Sequence, residues 1–147
     1  MTPEQKDLLL KDLCARLPYG VNVEYTFKVT VIATNVEEIM TRPLFLCSIN
    51  TLDNMTVSGI DDDGDETICF FDEVKPYLFP MSSMTEEQRV EAFALLNNCD
   101  YYTIDNTIKW LDNHPIKFFD WCNKNHFDYR GLIEQGLAID ATGKNIY

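Results

Sequence analysis

The chain has 147 residues, 46% of them hydrophobic and 12% aromatic, with a net charge of −12 and a sequence pI near 4.4. That length fits one domain with a real core, and the aromatic content argues against disorder. So acidic a chain has no basic stripe to neutralise phosphates, which weighs against direct binding to nucleic acid or to an anionic membrane. An acidic surface keeps a protein in solution, and it can also meet a basic partner or present carboxylates where phosphates would lie.

Taken in chain order, Thr2-Pro3-Glu4-Gln5 reads as a helix start: Thr2 caps, Pro3 takes the first helical position and Gln5 closes a capping box. Leu9, Leu10, Leu13, Cys14 and Leu17 follow at helical spacing, and "LPYG" stops the helix. "VNVEYTFKVTV" (21–31) alternates without a break. Val21, Val23, Tyr25, Phe27, Val29 and Val31 share one face of a half-buried strand. "PLFLCSIN" (43–50), apolar on both faces, reads as a central strand. "MTVSGI" and "ETICFF" flank "DDDGD", where Asp63-Gly64 is the pair that tolerates a left-handed hairpin turn. "VKPYLFP" (74–80) runs extended because Pro76 and Pro80 forbid a helix.

The period then changes. "SSMTEEQRVEAFALLNN" predicts a helix capped at Ser83 or Thr85, with Val90, Phe93, Ala94, Leu96 and Asn97 as its repeating positions. "DNTIKWLDN" (105–113) predicts a short helix capped by Asp105, and "PIKFFDWCNKN" another, with Phe118, Phe119 and Cys122 inward. "DYRGLIEQG" predicts a last helix, capped by Asp128 and ended by Gly136, before "LAI" closes as an extended piece. The fold expected is a single α+β domain over 1–147: an N-terminal helix, an antiparallel meander or small open barrel of about four strands, then three or four helices.

Five cysteines (Cys14, Cys47, Cys69, Cys99, Cys122), odd in number and set in apolar surroundings, read as buried thiols of a reducing cytoplasm. The N-terminus lacks a signal-peptide pattern and no apolar run approaches the ~20 residues that span a bilayer, so a cytoplasmic protein is expected.

Few motifs carry chemistry. "IDDDGDE" invites a calcium loop, but aligning Gly64 to the loop's glycine puts Gly59 and Phe70 at its two ends, where ligands belong. Cys122 and His126 stand four apart without the second close pair that zinc needs. No nucleophile-elbow or glycine-rich phosphate pattern occurs. No catalytic residue, metal or cofactor is therefore assigned, and the reading leans away from an enzyme.

Two surfaces stand out. Residues 43–74 hold eight acids and no base, while the rest of the chain, with 16 acids and 12 bases, carries only −4. Asp61, Asp62, Asp63, Asp65 and Glu66 concentrate this charge as an acidic partner surface. The second surface is "HFDYRG". In the plainer reading Asp128 caps a helix, His126 and Arg130 pair with acids, and Phe127, Leu132 and Ile133 fill the core. In the functional reading His126, Asp128, Tyr129 and Arg130 join Trp121 and Tyr19 to bind a small anionic ligand or a partner's carboxylates.

"DLCARLPYGV" (12–21), "KPYLFPMSSMTEEQ" (75–88) and "NHFDYRGLIEQGLAI" (125–139) together resemble a family of small uncharacterised proteins of gut Bacteroidales bacteria and their phages and prophages. The resemblance spans both ends and the middle and departs over 22–74, where it implies a partner-specific surface. It implies a bacterial cytosol and a mobile-element gene, and it carries no activity. The function expected is a non-enzymatic acidic binding protein, a phage or prophage counter-defence factor that engages a host protein or sequesters a ligand. The alternative is a nucleotide- or metabolite-binding protein, or a small hydrolase, with its pocket at the C-terminal helices.

Overall fold

The computed structural model describes residues 1–32, 35–52, 55–97, 101–104, 107–110 and 114–147. Helix α1 (Pro3–Arg16) starts on the expected capping box: Gln5 N–H donates to Thr2 Oγ1 at 3.2 Å, and Thr2 N–H donates to Gln5 Oε1 at 2.9 Å. Leu9 and Leu13 are fully buried, whereas Cys14 is exposed. A 3-10 turn (Leu17–Tyr19) then ends at Gly20, whose φ of +72° few other residues adopt and whose missing Cβ leaves room for the Phe45 ring.

The strands are β1 (Asn22–Val31), β2 (Val36–Asn50), β3 (Thr56–Ile60), β4 (Glu66–Phe70) and β5 (Val74–Leu78). The first four form the expected meander. The chain then crosses back, and β5 pairs antiparallel with β1 on its other side. A two-residue strand late in the chain (Ile139–Asp140) adds parallel to β5. Numbered in chain order it is β8, giving an open, mixed sheet of order β4-β3-β2-β1-β5-β8 rather than a barrel or a four-stranded meander. The domain is α+β as expected. The β3–β4 hairpin turns through Gly64 alone at φ +86°, because Asp63 keeps a negative φ.

The C-terminal half departs further from expectation. Helix α2 (Glu86–Asn97) is capped by Thr85, which exchanges backbone and side-chain hydrogen bonds with Gln88. Its buried position is Ala92, while Val90, Phe93 and Leu96 are exposed. Instead of a helix after α2, β6 (Tyr101–Ile104) and β7 (Thr107–Trp110) form an antiparallel pair. Asp105, the expected cap, lies outside the described residues, as do Asp53 and Cys99.

Helix α3 (His114–Lys124) buries Cys122 as expected, but Phe119 is half exposed and stacks on Tyr129 at 4.9 Å. "DYRGLIEQG" is a pair of turns and not a helix, because Gly131 at φ +72° interrupts the right-handed path. Asp128 still acts as a cap: its carboxylate accepts the N–H groups of Leu132 and Ile133 at 2.9 and 2.8 Å.

Two apolar clusters hold the molecule together. The larger sets Leu9 and Leu13 of α1 against Val21, Val23, Leu44, Leu46, Val57, Phe71, Val74 and Leu78 of the sheet region, with Leu132 and Leu137 beside them. The smaller gathers Met84, Ala92, Cys122 and Phe127, with Phe79, Phe118 and Trp121 partly buried around it. No helix among the described residues is long and apolar enough to cross a membrane.

Candidate functional site

The patch expected around His126 divides between two environments. On one side α1 brings Asp12 and Arg16, both 0% exposed, beneath α3. Arg16 grips Asp12 with both arms of its fork, Nε to Oδ2 at 2.7 Å and Nη2 to Oδ1 at 3.0 Å. It also donates from Nη2 to the Phe127 carbonyl at 2.8 Å and from Nη1 to the Cys122 carbonyl at 3.4 Å. Arg130 Nε lies 3.3 Å from Asp12 Oδ1, within ion-pair range though not aligned for a hydrogen bond. Both guanidinium groups approach the Tyr129 ring, Arg130 at 4.8 Å and Arg16 at 5.7 Å from its centre. Arg130 is thereby tied to a buried acid instead of lining an open anionic pocket.

On the other side His126, at φ +58°, is buried and stacks on Tyr147 with ring centres 3.7 Å apart. It lines a cleft of about 410 Å³ with Phe79, Ser83, Gln88, Lys124 and Tyr147. The groups that could read a ligand there are mostly committed within the protein. Ser83 Oγ donates to the Pro80 carbonyl, Gln88 Oε1 accepts from Thr85, and Asn125 Nδ2 donates to the Trp121 carbonyl. Trp121 stacks on Phe127 at 5.4 Å, and Asp128 is used up in capping. Tyr19 sits half exposed after α1, and among the described residues no ring contact or hydrogen bond joins it to the other five. Asp12, Arg16 and Tyr147, which organise this region, were not singled out from sequence. Asp12 and Arg16 share the i,i+4 spacing of a surface pair, and spacing alone does not reveal depth.

Burial, with the Arg16 charge adding to it, pushes the His126 pKa down to about 4 from its usual 6.5. The folded ring therefore resists a proton that the unfolded chain accepts. The sign follows: stability is full above pH 6.5 and falls as pH drops from 6.5 toward about 4. Discounted for the part of the ring that solvent reaches, the loss is on the order of 2 kcal/mol. His126→Gln should flatten that segment of a urea-midpoint profile; an unchanged slope would assign the pH dependence to other groups.

The thiols and metals can be placed as well. Cys69 and Cys122 are buried, and burial lifts each pKa to about 11, whereas Cys14 and Cys47 are exposed, contrary to the expectation for all five cysteines. Cys47 is outward by the same alternation that buries Leu44 and Leu46, and the register shift beside it changes the parity only from Ser48 onward. Among the described residues no three His, Cys, Asp or Glu side chains stand together as a metal would require.

The second surface is more open. At the β3–β4 tip, Asp61 Oδ1 accepts the N–H groups of Asp63 and Asp65, and Arg42 Nη1 donates to its Oδ2 at 3.0 Å. These contacts, the Asp65 N–H first, hold the Asp61 carboxyl below the usual carboxylate range. Asp61 is thus the staple of the turn. Asp62, Asp63, Asp65 and Glu66 are exposed, with no ion pair among the described residues.

Next to this tip lies a feature that the sequence reading missed. The register sets Phe45 opposite Ile60, Ser58 opposite Ile68 and Thr56 opposite Phe70. Alternation therefore puts Phe45, Ile60, Ile68 and Phe70 on one outward face of β2, β3 and β4, and they are 41–70% exposed. The signal was in "ETICFF", whose apolar residues occupy both parities: one set had to face away from the core.

A scan of protein-family models and searches of curated proteins and of solved structures found no match to this chain.

Proposed function

We propose that this protein acts by binding a partner protein, and that the outward face of β2, β3 and β4 with its acidic hairpin tip is the contact surface. The observation that carries this reading is the grouping of Phe45, Ile60, Ile68 and Phe70 on adjacent strands, bordered by Asp62, Asp63, Asp65 and Glu66. Large apolar side chains gathered on a solvent face and rimmed by one sign of charge suit a protein interface better than a solvated surface. Exposed acids add steering toward a partner rich in lysine and arginine. In the bacterial or phage setting that the sequence resemblance implies, that partner is a host protein.

The face lies wholly within residues 22–74, the stretch where the resemblance lapses. Support for a small-ligand pocket at Trp121, Tyr129 and Arg130 is weaker, since those side chains are engaged with Phe127, Phe119 and Asp12. The reading is tested by comparing what the native chain and an Ile68→Glu/Phe70→Ser variant capture from a bacterial lysate. A stoichiometric basic protein retained by the first and lost by the second supports it. Equal capture by both would place the contact elsewhere.

A further inference from the structure

The β1–β2 hairpin is longer than the sheet that holds it. β5 pairs with β1 only at Val23–Tyr25, and β3 joins β2 only from Phe45 onward. Thr26–Val31 and Val36–Thr41 therefore pair with each other alone among the described residues, as a two-stranded ribbon with both outer edges open. Ribbons of this kind are marginal in water unless something covers them.

This one is amphipathic. Lys28 and Glu37 form a cross-strand ion pair at 3.4 Å on one face, among Thr26, Thr30 and Thr41, with Ile39 its single apolar side chain. The opposite face continues the inward row of β1 beyond the core, with Phe27, Val29 and Val31 beside Met40 and Val36. Met40 is 48% and Val36 52% exposed, so the apolar stripe outruns the core that would bury it.

Charge selects the occupant. Residues 26–42 hold two bases, Lys28 and Arg42, and two acids, Glu37 and Glu38, and so are neutral in a chain of net −12. A basic partner gains nothing here, whereas two copies of an acidic protein meet at this arm without the repulsion that their other surfaces impose. The apolar face also carries one charge of each sign, Glu38 and Arg42, set two residues either side of Met40. A two-fold axis across the strands at Met40 lays Glu38 of one copy over Arg42 of its partner, and the reverse. Arg42 lies over the Phe27 ring at 5.0 Å and gives one N–H to Asp61, and its guanidinium carries further donors at its edge for this second acid.

We infer that the chain self-associates through this ribbon, two copies packing the Phe27, Val29, Val36 and Met40 faces together about a two-fold axis. Such a pair would be isologous, with the same patch used twice. It would leave the outward β2–β4 face uncovered, so the inference stands apart from the binding role proposed above.

Sedimentation equilibrium over a dilution series tests it. The native protein should show twice its 17.0 kDa chain mass at the high end. Met40→Glu and Val36→Glu, both at exposed positions, should each halve that mass while leaving circular dichroism and melting of the body unchanged. Ile68→Glu, on the outward face, should leave the dimer intact. A monomer at every concentration overturns the inference, as does a dimer that survives both ribbon variants or one dissolved by Ile68→Glu.

Discussion

Arg16→Met is expected to lower the unfolding free energy by about 3–5 kcal/mol, enough to unfold a marginally stable domain of this size. The charge that it leaves behind explains the magnitude. Asp12 is 0% exposed and keeps only the misaligned Arg130 as a counter-ion, while the Cys122 and Phe127 carbonyls each lose one of two donors and keep a backbone N–H. Removing the acid as well, in Asp12→Leu/Arg16→Met, abolishes the uncompensated charge and should recover roughly half of the loss. Guanidinium titration of the three proteins checks this. A single variant within about 1 kcal/mol of native stability would mean that water reaches Asp12. The same helix supplies an internal control. Asp7 and Lys11 have the same i,i+4 spacing and a 2.7 Å contact, yet both are more than half exposed. Their pair is worth only about 0.3–0.5 kcal/mol.

Phe127→Ala should cost about 3–5 kcal/mol, because it opens a cavity in the smaller cluster where the structure has little with which to fill it. The Phe127 ring is 2% exposed, stacks on Trp121 at 5.4 Å and meets Phe79 at 6.2 Å. Its backbone is equally committed, taking the Arg16 donor at its carbonyl and giving its own N–H to the Cys122 carbonyl. Phe127→Leu keeps most of the volume and should lose under about 1.5 kcal/mol. The ratio between the two variants, read from urea midpoints, separates packing from backbone anchoring. Equal losses would show that the ring's shape, and not its volume, holds the cluster.

Local signals were the legible ones. The Thr2–Gln5 capping box, the alternation of β1, the extended path through Pro76 and the α+β class all follow from residues within a few positions of one another. Elements that needed distant context were misjudged. "DNTIKWLDN" suggested a helix from its acidic start, although Tyr101, Tyr102, Thr103 and Ile104 before it and Thr107, Ile108 and Trp110 within it are good strand formers. In "DYRGLIEQG" the cap at Asp128 was real, but Gly131 marks a positive φ inside the segment as well as Gly136 at its end. The patch at His126 was legible as a list of residue types and not as an arrangement. Arg130 and His126 fall into separate environments because Asp12, more than a hundred residues away, claims the first and Tyr147 covers the second.

The clasp between α1 and the segment after α3 also constrains how the protein is made. The arginine of α1 has no seat until residues 122–130, more than a hundred positions further on, have been synthesised. A nascent chain halted near residue 110 would have the sheet side of the core for Leu9 and Leu13 but would lack Leu132, Leu137 and the carbonyls that receive Arg16. The closure that finishes this clasp joins α1 to a segment more than a hundred residues further along, a contact of high sequence separation whose loop must close before it is rewarded.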